Sequence, residues 1–202
     1  ISGSLKPFSM VQGADRKYEA ALFIGYHAGM GARGAILDHT YSGACVSEIK
    51  VNDRTVNEAA LNALVLGRYG TPVALVTGDD RCCTEAKELL GGVETVTTKW
   101  AIGRYSARTL HPTEACRLIR EASKKSCKAR GRFKPFQMKP PYRLQIRFHQ
   151  AGMADSVEVM PGTTRLDGTT VAFDADDVLT LFRAMIAMQR LADAGIPKVR
   201  AK

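Results

Sequence analysis

Residues 19–34 read EAALFIGYHAGMGARG, and the architecture of the chain can be predicted outward from this stretch. The first half, EAALFIGY, is a compact apolar run that ends in glycine and is followed by a histidine, which is typical of a buried strand. The second half is rich in glycine and predicts a loop, which continues through AILDHTYSG. We therefore expect a sheet in which a buried strand opens directly into a glycine-rich loop.

Strands and helices alternate after this loop. Further strands are predicted for VSEIKVND, TPVALVTGDD and VETVTTKW, and helices for VNEAALNALVLGRYG and RCCTEAKELLGG. Asn52 and Asp53 indicate a turn, and Gly70 suits the end of a helix. Another helix is expected to begin near His111 and Pro112, because proline fits the first helical turn.

The last third of the sequence has a different pattern. YRLQIRFH, DSVEVMPG and TTVAFDA are predicted as short strands, and ADDVLTLFRAMIAMQRLADAG as a long helix with Met185 and Met188 in the core. The predicted fold class is α/β, with a mixed sheet flanked by helices and a smaller α+β C-terminal portion. The proline-rich stretch RGRFKPFQMKPP divides the prediction into residues 1–130, which carry the candidate site residues, and residues 131–202, which end in the long helix.

Composition excludes several classes of protein. No apolar run approaches the roughly 20 residues that cross a bilayer, and the first residues lack the pattern of a secretory leader. The five cysteines are odd in number and irregularly spaced, which does not fit a disulfide scaffold. We therefore expect a soluble cytoplasmic protein with reduced thiols and no membrane partner.

Residues 117–147 form a basic segment, with eleven lysines and arginines against the single acid Glu121. Such a segment could bind nucleic-acid phosphates through counterion release. The alternative interpretation, a solvated helix end and loop, is favoured because Phe133 and Phe136 stand next to prolines without a recognisable stacking motif. A nucleic-acid-binding protein stays an alternative function.

The glycine loop contains a literal G-x-G-x-x-G, which raises the possibility of a dinucleotide site. That motif needs a long helix directly after its glycines, so that the helix N-terminus faces the pyrophosphate. Here Gly34 is followed by AILDHTYSGAC, which is too short and too glycine-rich for a crossover helix. The motif is therefore only weak evidence for nucleotide binding.

His27 and His39 bracket this loop, and His27 lies at the carboxyl end of the predicted strand, where α/β sheets place ligands. Imidazole suits zinc, and because no cysteine is close in sequence, carboxylates would complete the ligand set. Glu58 is the leading candidate, although it could be an ordinary first-turn acid. Asp79 and Asp80 also follow a strand end, but GDDR is equally typical of a helix cap.

Taken in order, the strings KPFSMVQG, ALFIGYHAG, the glycine loop ending in DH, VNDRTVNEAALNA, PVALVTGDDR and VMPGTT resemble the D-aminopeptidase family of zinc metallopeptidases associated with bacterial dipeptide transport. The resemblance covers nearly the entire chain. It implies a hydrolase with two zinc ions per active site that releases N-terminal D-amino acids from short peptides by a metal-activated water. It also implies a homo-oligomeric ring, a decamer in the best-known case.

The resemblance assigns three residues. His27 and Glu58 correspond to zinc ligands, and His39 corresponds to the catalytic residue; the substrate-binding residues stay unknown. The family supplies its other ligands through an acidic D-x-E-G segment and an N-D-S-H segment, which these 202 residues lack. Activity is therefore expected if an upstream segment supplies those ligands, and the alternative is a catalytically inactive structural subunit.

Overall fold

The computed structural model describes residues 1–195, which divide into two compact units. The first unit contains Ile1–His39 and Val56–Met138. The second contains Thr40–Thr55 and the described chain from Lys139 onward. The predicted boundary near residue 130 stays a prediction.

The elements are numbered in chain order. The strands are β1 Ala21–Tyr26, β2 Val46–Val51, β3 Arg54–Thr55, β4 Val73–Asp79, β5 Glu94–Gly103, β6 Ser106–Thr109, β7 Tyr142–Phe148, β8 Thr163–Arg165 and β9 Thr170–Ala175. The α-helices are α1 Glu58–Arg68, α2 Asp80–Leu90, α3 Pro112–Lys128, α4 Ala151–Glu158 and α5 Val178–Ala194. In residues 1–195 no helix is both long and apolar enough to span a membrane.

The first unit is built on a four-stranded sheet in the order β1-β4-β5-β6. Strands β1, β4 and β5 are parallel, and β6 runs antiparallel to β5. All seven residues of β4 are buried, as expected for the central strand of a parallel sheet that helices cover. Helices α2 and α3 pack on β4 and β5, and α1 packs on β1 and α2. The predicted α/β class with a mixed sheet is confirmed.

The second unit contains an antiparallel sheet in the order β3-β2-β7-β9-β8. Helix α5 packs on β7 and β9, and α4 packs beside α5. Asp177 caps α5 by accepting hydrogen bonds from the main-chain N–H groups of Leu179 and Thr180. Met185 and Met188 are fully buried, which confirms the prediction that they belong to the core.

The strand predicted for DSVEVMPG is wrong, because its first half, residues 155–158, lies in helix α4 and its second half forms a turn. Met153, Ala154 and Val157 are buried, at a spacing that forms one face of a helix against α5. Val159, which an alternating strand would bury together with Val157, is 74% exposed. Tertiary packing therefore overrides the strand preference of the two valines.

Strand β6 was not predicted from the sequence. Its residues, SART, are mostly exposed and carry no apolar alternation. Backbone pairing with β5 from Lys99 to Gly103 makes it a strand. Such a strand at the edge of a sheet gives little signal in the sequence.

Candidate active site

His27 follows the last residue of β1 directly, at the carboxyl end of the parallel strands, and is half-buried. Its Nδ1 lies 3.0 Å from the main-chain oxygen of Ile36. Because a carbonyl oxygen can only accept a hydrogen bond, Nδ1 must carry the proton that is donated. In the neutral ring Nε2 is then the free nitrogen, which is the arrangement common among metal-binding histidines.

His39 closes the glycine loop. Its main-chain N–H donates to the oxygen of Ala28 at 3.1 Å, and its Nδ1 lies 2.7 Å from the oxygen of Leu37. The same reasoning assigns the proton to Nδ1 and leaves Nε2 free. The ring centroids of His27 and His39 are 5.0 Å apart, with the rings tilted by 43°. The structure therefore brings two of the three predicted site residues together.

No helix follows the glycines, and the next regular element is β2. The prediction of a loop is confirmed.

Residues 28–39, called here the acid-bound loop, are connected by their main-chain N–H groups to three acidic side chains. The three contacts are Gly29 to Glu85 Oε2 at 2.8 Å, Gly31 to Asp38 Oδ2 at 2.6 Å, and Ile36 to Asp79 Oδ2 at 3.4 Å. Gly31 has φ +81°, where a residue with a side chain would be strained.

Asp38 connects this loop to the turn between β5 and β6. Its Oδ1 accepts from Arg104 Nε at 2.6 Å, and its main-chain oxygen accepts from Arg104 Nη2 at 2.8 Å. Leu37 N–H donates to the main-chain oxygen of Arg104 at 2.9 Å. The hydrogen bond to Asp38 raises the pKa of the Arg104 guanidinium. Asp38 therefore orders the main chain directly before His39.

Asp79 is the N-cap of α2, and its Oδ1 accepts from Cys82 N–H at 2.8 Å. The interpretation of GDDR as a helix cap is confirmed. Asp79 is fully buried and also contacts Ile36, so it joins α2 to the acid-bound loop. Asp80 is the first residue of α2, and its Oδ1 is buried without a hydrogen-bond partner within residues 1–195.

Glu58 is the first residue of α1 and is half-buried, directly after the N-cap Asn57. Burial raises the pKa of the Tyr26 hydroxyl, a hydrogen bond from Asn62 opposes this shift, and the negative charge of Glu58 adds to it. The donor is Asn62 Nδ2, 3.0 Å from the Tyr26 oxygen. Glu58 therefore acts electrostatically on the residue whose main chain leads into His27.

Imidazole nitrogen and carboxylate oxygen are the donors that zinc takes in proteins, so the chemistry of His27 and Glu58 fits this metal. Within the described part of the chain, residues 1–195, no three His, Cys, Asp or Glu side chains are grouped so that they could hold a metal ion. The residues present thus fit part of a zinc site. The supply of the other zinc ligands by an upstream segment stays a prediction.

The two other histidines have structural positions. His111 is the N-cap of α3, with its Nδ1 3.3 Å from Thr113 N–H, and His149 is exposed directly after β7. The expected start of a helix near His111 is confirmed.

Sequence reasoning missed the side chains that order the acid-bound loop. Glu85 lies inside α2, and its hydrogen bonds go to residues far away in the sequence. Arg104 contacts Asp38 across a separation of 66 residues. Asp38 carried one usable signal, because the DH pair places it next to His39.

Many cations of the basic segment have carboxylate partners. These cations are Arg117, Lys125, Arg130, Arg132, Arg143 and Arg147, and their partners are Glu114, Glu121, Glu94, Glu19, Asp174 and Glu48. The partners reduce the net positive charge that this segment presents locally. The contacts favour the interpretation of a solvated surface over that of a phosphate-binding surface.

Comparison with known proteins gives consistent matches. The sequence profile of peptidase family M55, D-aminopeptidase, matches residues 1–187. The D-aminopeptidase of Bacillus subtilis (strain 168) is 42% identical over 195 residues, which cover 95% of this chain and 70% of that protein. Among solved structures, the Zn-dependent D-aminopeptidase DppA from Bacillus subtilis, a self-compartmentalizing protease, matches with a TM-score of 0.91 and 39% identity, covering 96% of this chain and 70% of that one. The chain therefore belongs to the D-aminopeptidase family of peptidase hydrolases, which confirms the resemblance seen in the ordered sequence strings.

Proposed function

We propose that this chain is a zinc-dependent aminopeptidase that releases N-terminal D-amino acids from short peptides. Family membership and the zinc dependence of the Bacillus subtilis structure support the reaction class and the metal. One observation carries the assignment to residues: the rings of His27 and His39 lie 5.0 Å apart at the end of β1, each with Nδ1 against a main-chain oxygen.

His27 and Glu58 would hold zinc, His27 through Nε2 and Glu58 through its carboxylate. Two ions per active site are expected from the family resemblance, with the further ligands supplied by an upstream segment. Bound zinc lowers the pKa of a coordinated water toward neutrality and polarises a carbonyl group. The hydrogen bond from His27 Nδ1 to Ile36 orients the ring and limits its rotation, so that Nε2 keeps one direction.

We assign His39 the catalytic role of a proton carrier. Its Nδ1 donates a hydrogen bond to the main-chain oxygen of Leu37. Nε2 is therefore the nitrogen at which the ring would exchange a proton with a substrate. From there the ring could accept a proton from the attacking water and pass it to the nitrogen of the leaving amine when the peptide bond breaks. Selection of D-residues would depend on which substrate side chain clashes with the pocket wall.

DppA is a self-compartmentalizing protease, and its likeness to this chain supports assembly into a homo-oligomeric ring, for which we propose a decamer. We also propose that the protein is cytoplasmic. Light scattering coupled to gel filtration measures the mass of the assembly. The mass of ten chains would support the decamer, and the mass of a different number of chains would replace it with another ring size.

The metal assignment is tested by zinc titration of the full-length protein, with the upstream segment that is expected to supply the other ligands, and the NMR signals of the histidine rings report binding. We expect His27→Ala and Glu58→Gln to weaken zinc binding by more than the about 10- to 100-fold that the loss of an outer-shell partner costs, because each removes a direct ligand. His149→Ala is the matched control, since it removes an exposed histidine of the second unit. Unchanged zinc affinity in both ligand variants would overturn the assignment.

The catalytic assignment is tested by release of D-alanine from D-alanyl dipeptides, with L-alanyl dipeptides as the stereochemical control. We expect His39→Ala to keep zinc affinity and to lose hydrolysis. An assembled ring that binds no zinc and releases no amino acid would instead support the alternative of an inactive structural subunit.

A further inference from the structure

Glu85 makes an arrangement of hydrogen bonds that the proposed reaction leaves unexplained. Its Oε2 accepts two hydrogen bonds at once, from Gly29 N–H at 2.8 Å and from Asn57 Nδ2 at 3.0 Å. Its Oε1 lies 3.3 Å from Arg81 Nε. The side chain is only 13% exposed, so these contacts replace nearly all of the water around the carboxylate.

Asn57 extends this arrangement into helix α1. Its Oδ1 accepts from Ala60 N–H at 3.0 Å, and the residue is buried with 3% exposure. Because Ala60 N–H can only donate, the amide oxygen must face the helix and the amide nitrogen must face Glu85. The N-cap side chain is therefore held at both ends, by Ala60 N–H at its oxygen and by Glu85 at its nitrogen.

The two partners of Glu85 Oε2 lie next to the two proposed zinc ligands in the sequence. Gly29 is two residues after His27, and Asn57 directly precedes Glu58. One carboxylate oxygen thus joins the main chain beside His27 to the start of the helix that carries Glu58. These groups all lie within the first unit.

We infer that Glu85 is a positioning residue, which sets the separation of the His27 and Glu58 main-chain segments and through it the geometry of the proposed zinc site. The inference rests on the proposed function. It assigns Glu85 no contact with substrate or metal.

A carboxylate is required at this position because donors approach it from both sides. Glutamine has the same shape but carries one oxygen and one NH₂ group. In Glu85→Gln the NH₂ group must face either the Arg81 guanidinium or the pair formed by Gly29 and Asn57. Each of these partners is itself a hydrogen-bond donor, so the NH₂ group cannot bond to it in either orientation. The substitution therefore removes at least one contact without changing the volume of the side chain.

The test compares Glu85→Gln with two controls in the full chain. Glu88→Gln removes an exposed carboxylate from the same helix. Arg165→Gln removes the ion pairs with Asp155 and Glu158 in the second unit, and so controls for a general loss of stability. Three quantities are measured by NMR: zinc affinity in a titration, hydrogen exchange of the Gly29 amide, and the contact between the His27 and His39 rings.

We expect Glu85→Gln to lower zinc affinity about 10- to 100-fold, which is the usual effect of removing a group that orients a metal ligand. Gly29 exchange should accelerate and the ring contact should weaken, while both controls keep wild-type values. If Glu85→Gln does not fold, Glu85→Asp replaces it, because the shorter side chain keeps the charge but withdraws it from Gly29 and Asn57. Wild-type zinc affinity in a folded Glu85→Gln variant would overturn the inference, whatever the rate of Gly29 exchange.

His27→Ala and Glu58→Gln are titrated in parallel, so that two failures can be told apart. If these variants lose zinc and Glu85→Gln does not, the inference about Glu85 is wrong and the proposed function stands. If the wild-type chain or the ligand variants show that His27 and Glu58 do not bind zinc, the proposed function fails. In that case the Gly29 exchange rate and the His27–His39 ring contact still test, without any metal, whether Glu85 positions these segments of the main chain.

Discussion

The acid-bound loop and the basic segment use charge in opposite ways. The loop interacts with three carboxylates, of Asp38, Asp79 and Glu85, which are at most 13% exposed and which each accept a main-chain hydrogen bond. The basic segment carries eleven cations, whose ion pairs lie at the surface, such as the pair of Arg117 (51% exposed) with Glu121 (60% exposed).

The difference shows that burial, and not the number of charges, determines how strongly charge shapes the main chain. A hydrogen bond to a buried carboxylate contributes about 1.5–3 kcal/mol. An exposed ion pair contributes about 0–1 kcal/mol, because water and salt screen it. The few acids around the loop therefore order more structure than the many cations of the basic segment.

Part of the basic segment is nevertheless fixed, by contacts that involve no charge. Phe133 is buried, and the main-chain oxygen of Phe136 lies directly against Gly67 of α1. Gln137 Nε2 donates to the Gly67 oxygen at 3.1 Å. Close backbone packing, not electrostatics, holds this part of the segment in place.

The largest effect is expected for Gly67→Ala. A Cβ at this position would lie 1.9 Å from the Phe136 oxygen, so the main chain of one element would have to move. We expect the free energy of unfolding to fall by about 3 kcal/mol, the upper end of the range for overpacked sites. Urea denaturation measures this change.

Gly131→Ala is the control for this prediction, because a Cβ at Gly131 in the same segment meets nothing within 4 Å. It should change stability by less than about 0.5 kcal/mol. Equal stability of the two variants would show that the segment does not pack on α1 as described.

An intermediate effect is expected for Asp38→Asn. The substitution keeps the shape of the side chain but removes the charge that pairs with Arg104 and accepts from Gly31. We expect a loss of about 2 kcal/mol in the free energy of unfolding. Glu121→Gln, the matched change in the basic segment, should cost less than about 0.5 kcal/mol. Similar losses in both variants would remove the distinction between buried and exposed charge.

The smallest effect concerns the thiols of α2, which Asp79 joins to the acid-bound loop, and those of α3, which carries the start of the basic segment. Burial raises the pKa of Cys82 and Cys83, on the helix capped by Asp79, whereas Cys116 and Cys127 on α3 are exposed. Because the folded-state pKa lies above the unfolded value of about 8.5, the stability that this burial provides is complete below that pH and declines above it.

We therefore expect iodoacetamide at pH 8 to label Cys116 and Cys127 in the native protein and to leave Cys82 and Cys83 unlabelled until denaturant is added. Mass spectrometry of peptides measures the labelling. Rapid native labelling of Cys82 would contradict its burial.

The extent to which the structure could be predicted differs between elements. The α1 helix was recognisable, since the turn at Asn52 and Asp53 precedes it and Gly70, with φ +79°, follows its end. The buried strand β4 was recognisable as an uninterrupted apolar run. Helix α4 was not, because its valines favour a strand locally and only packing against α5 makes it helical.

The candidate site shows the same limit. His27 and Glu58 could be selected from the sequence because each stands at the boundary of a predicted element, and His39 because it closes the glycine loop. The contact of the two histidine rings, and the contacts of Glu85 with Gly29 and Asn57, join residues between 12 and 56 positions apart. No local pattern encodes such pairs.

The amino-acid sequence alone thus determined the alternation of strands and helices, the position of the glycine loop, the family and the residues to suspect. These features depend on local periodicity, capping and ordered strings, which can be read along the chain. Only the tertiary structure decided which acids order the loop and which nitrogen each histidine leaves free. Hydrogen-bond partners that are distant in sequence meet only when the chain has folded, and the partner of Nδ1 determines the tautomer of each ring.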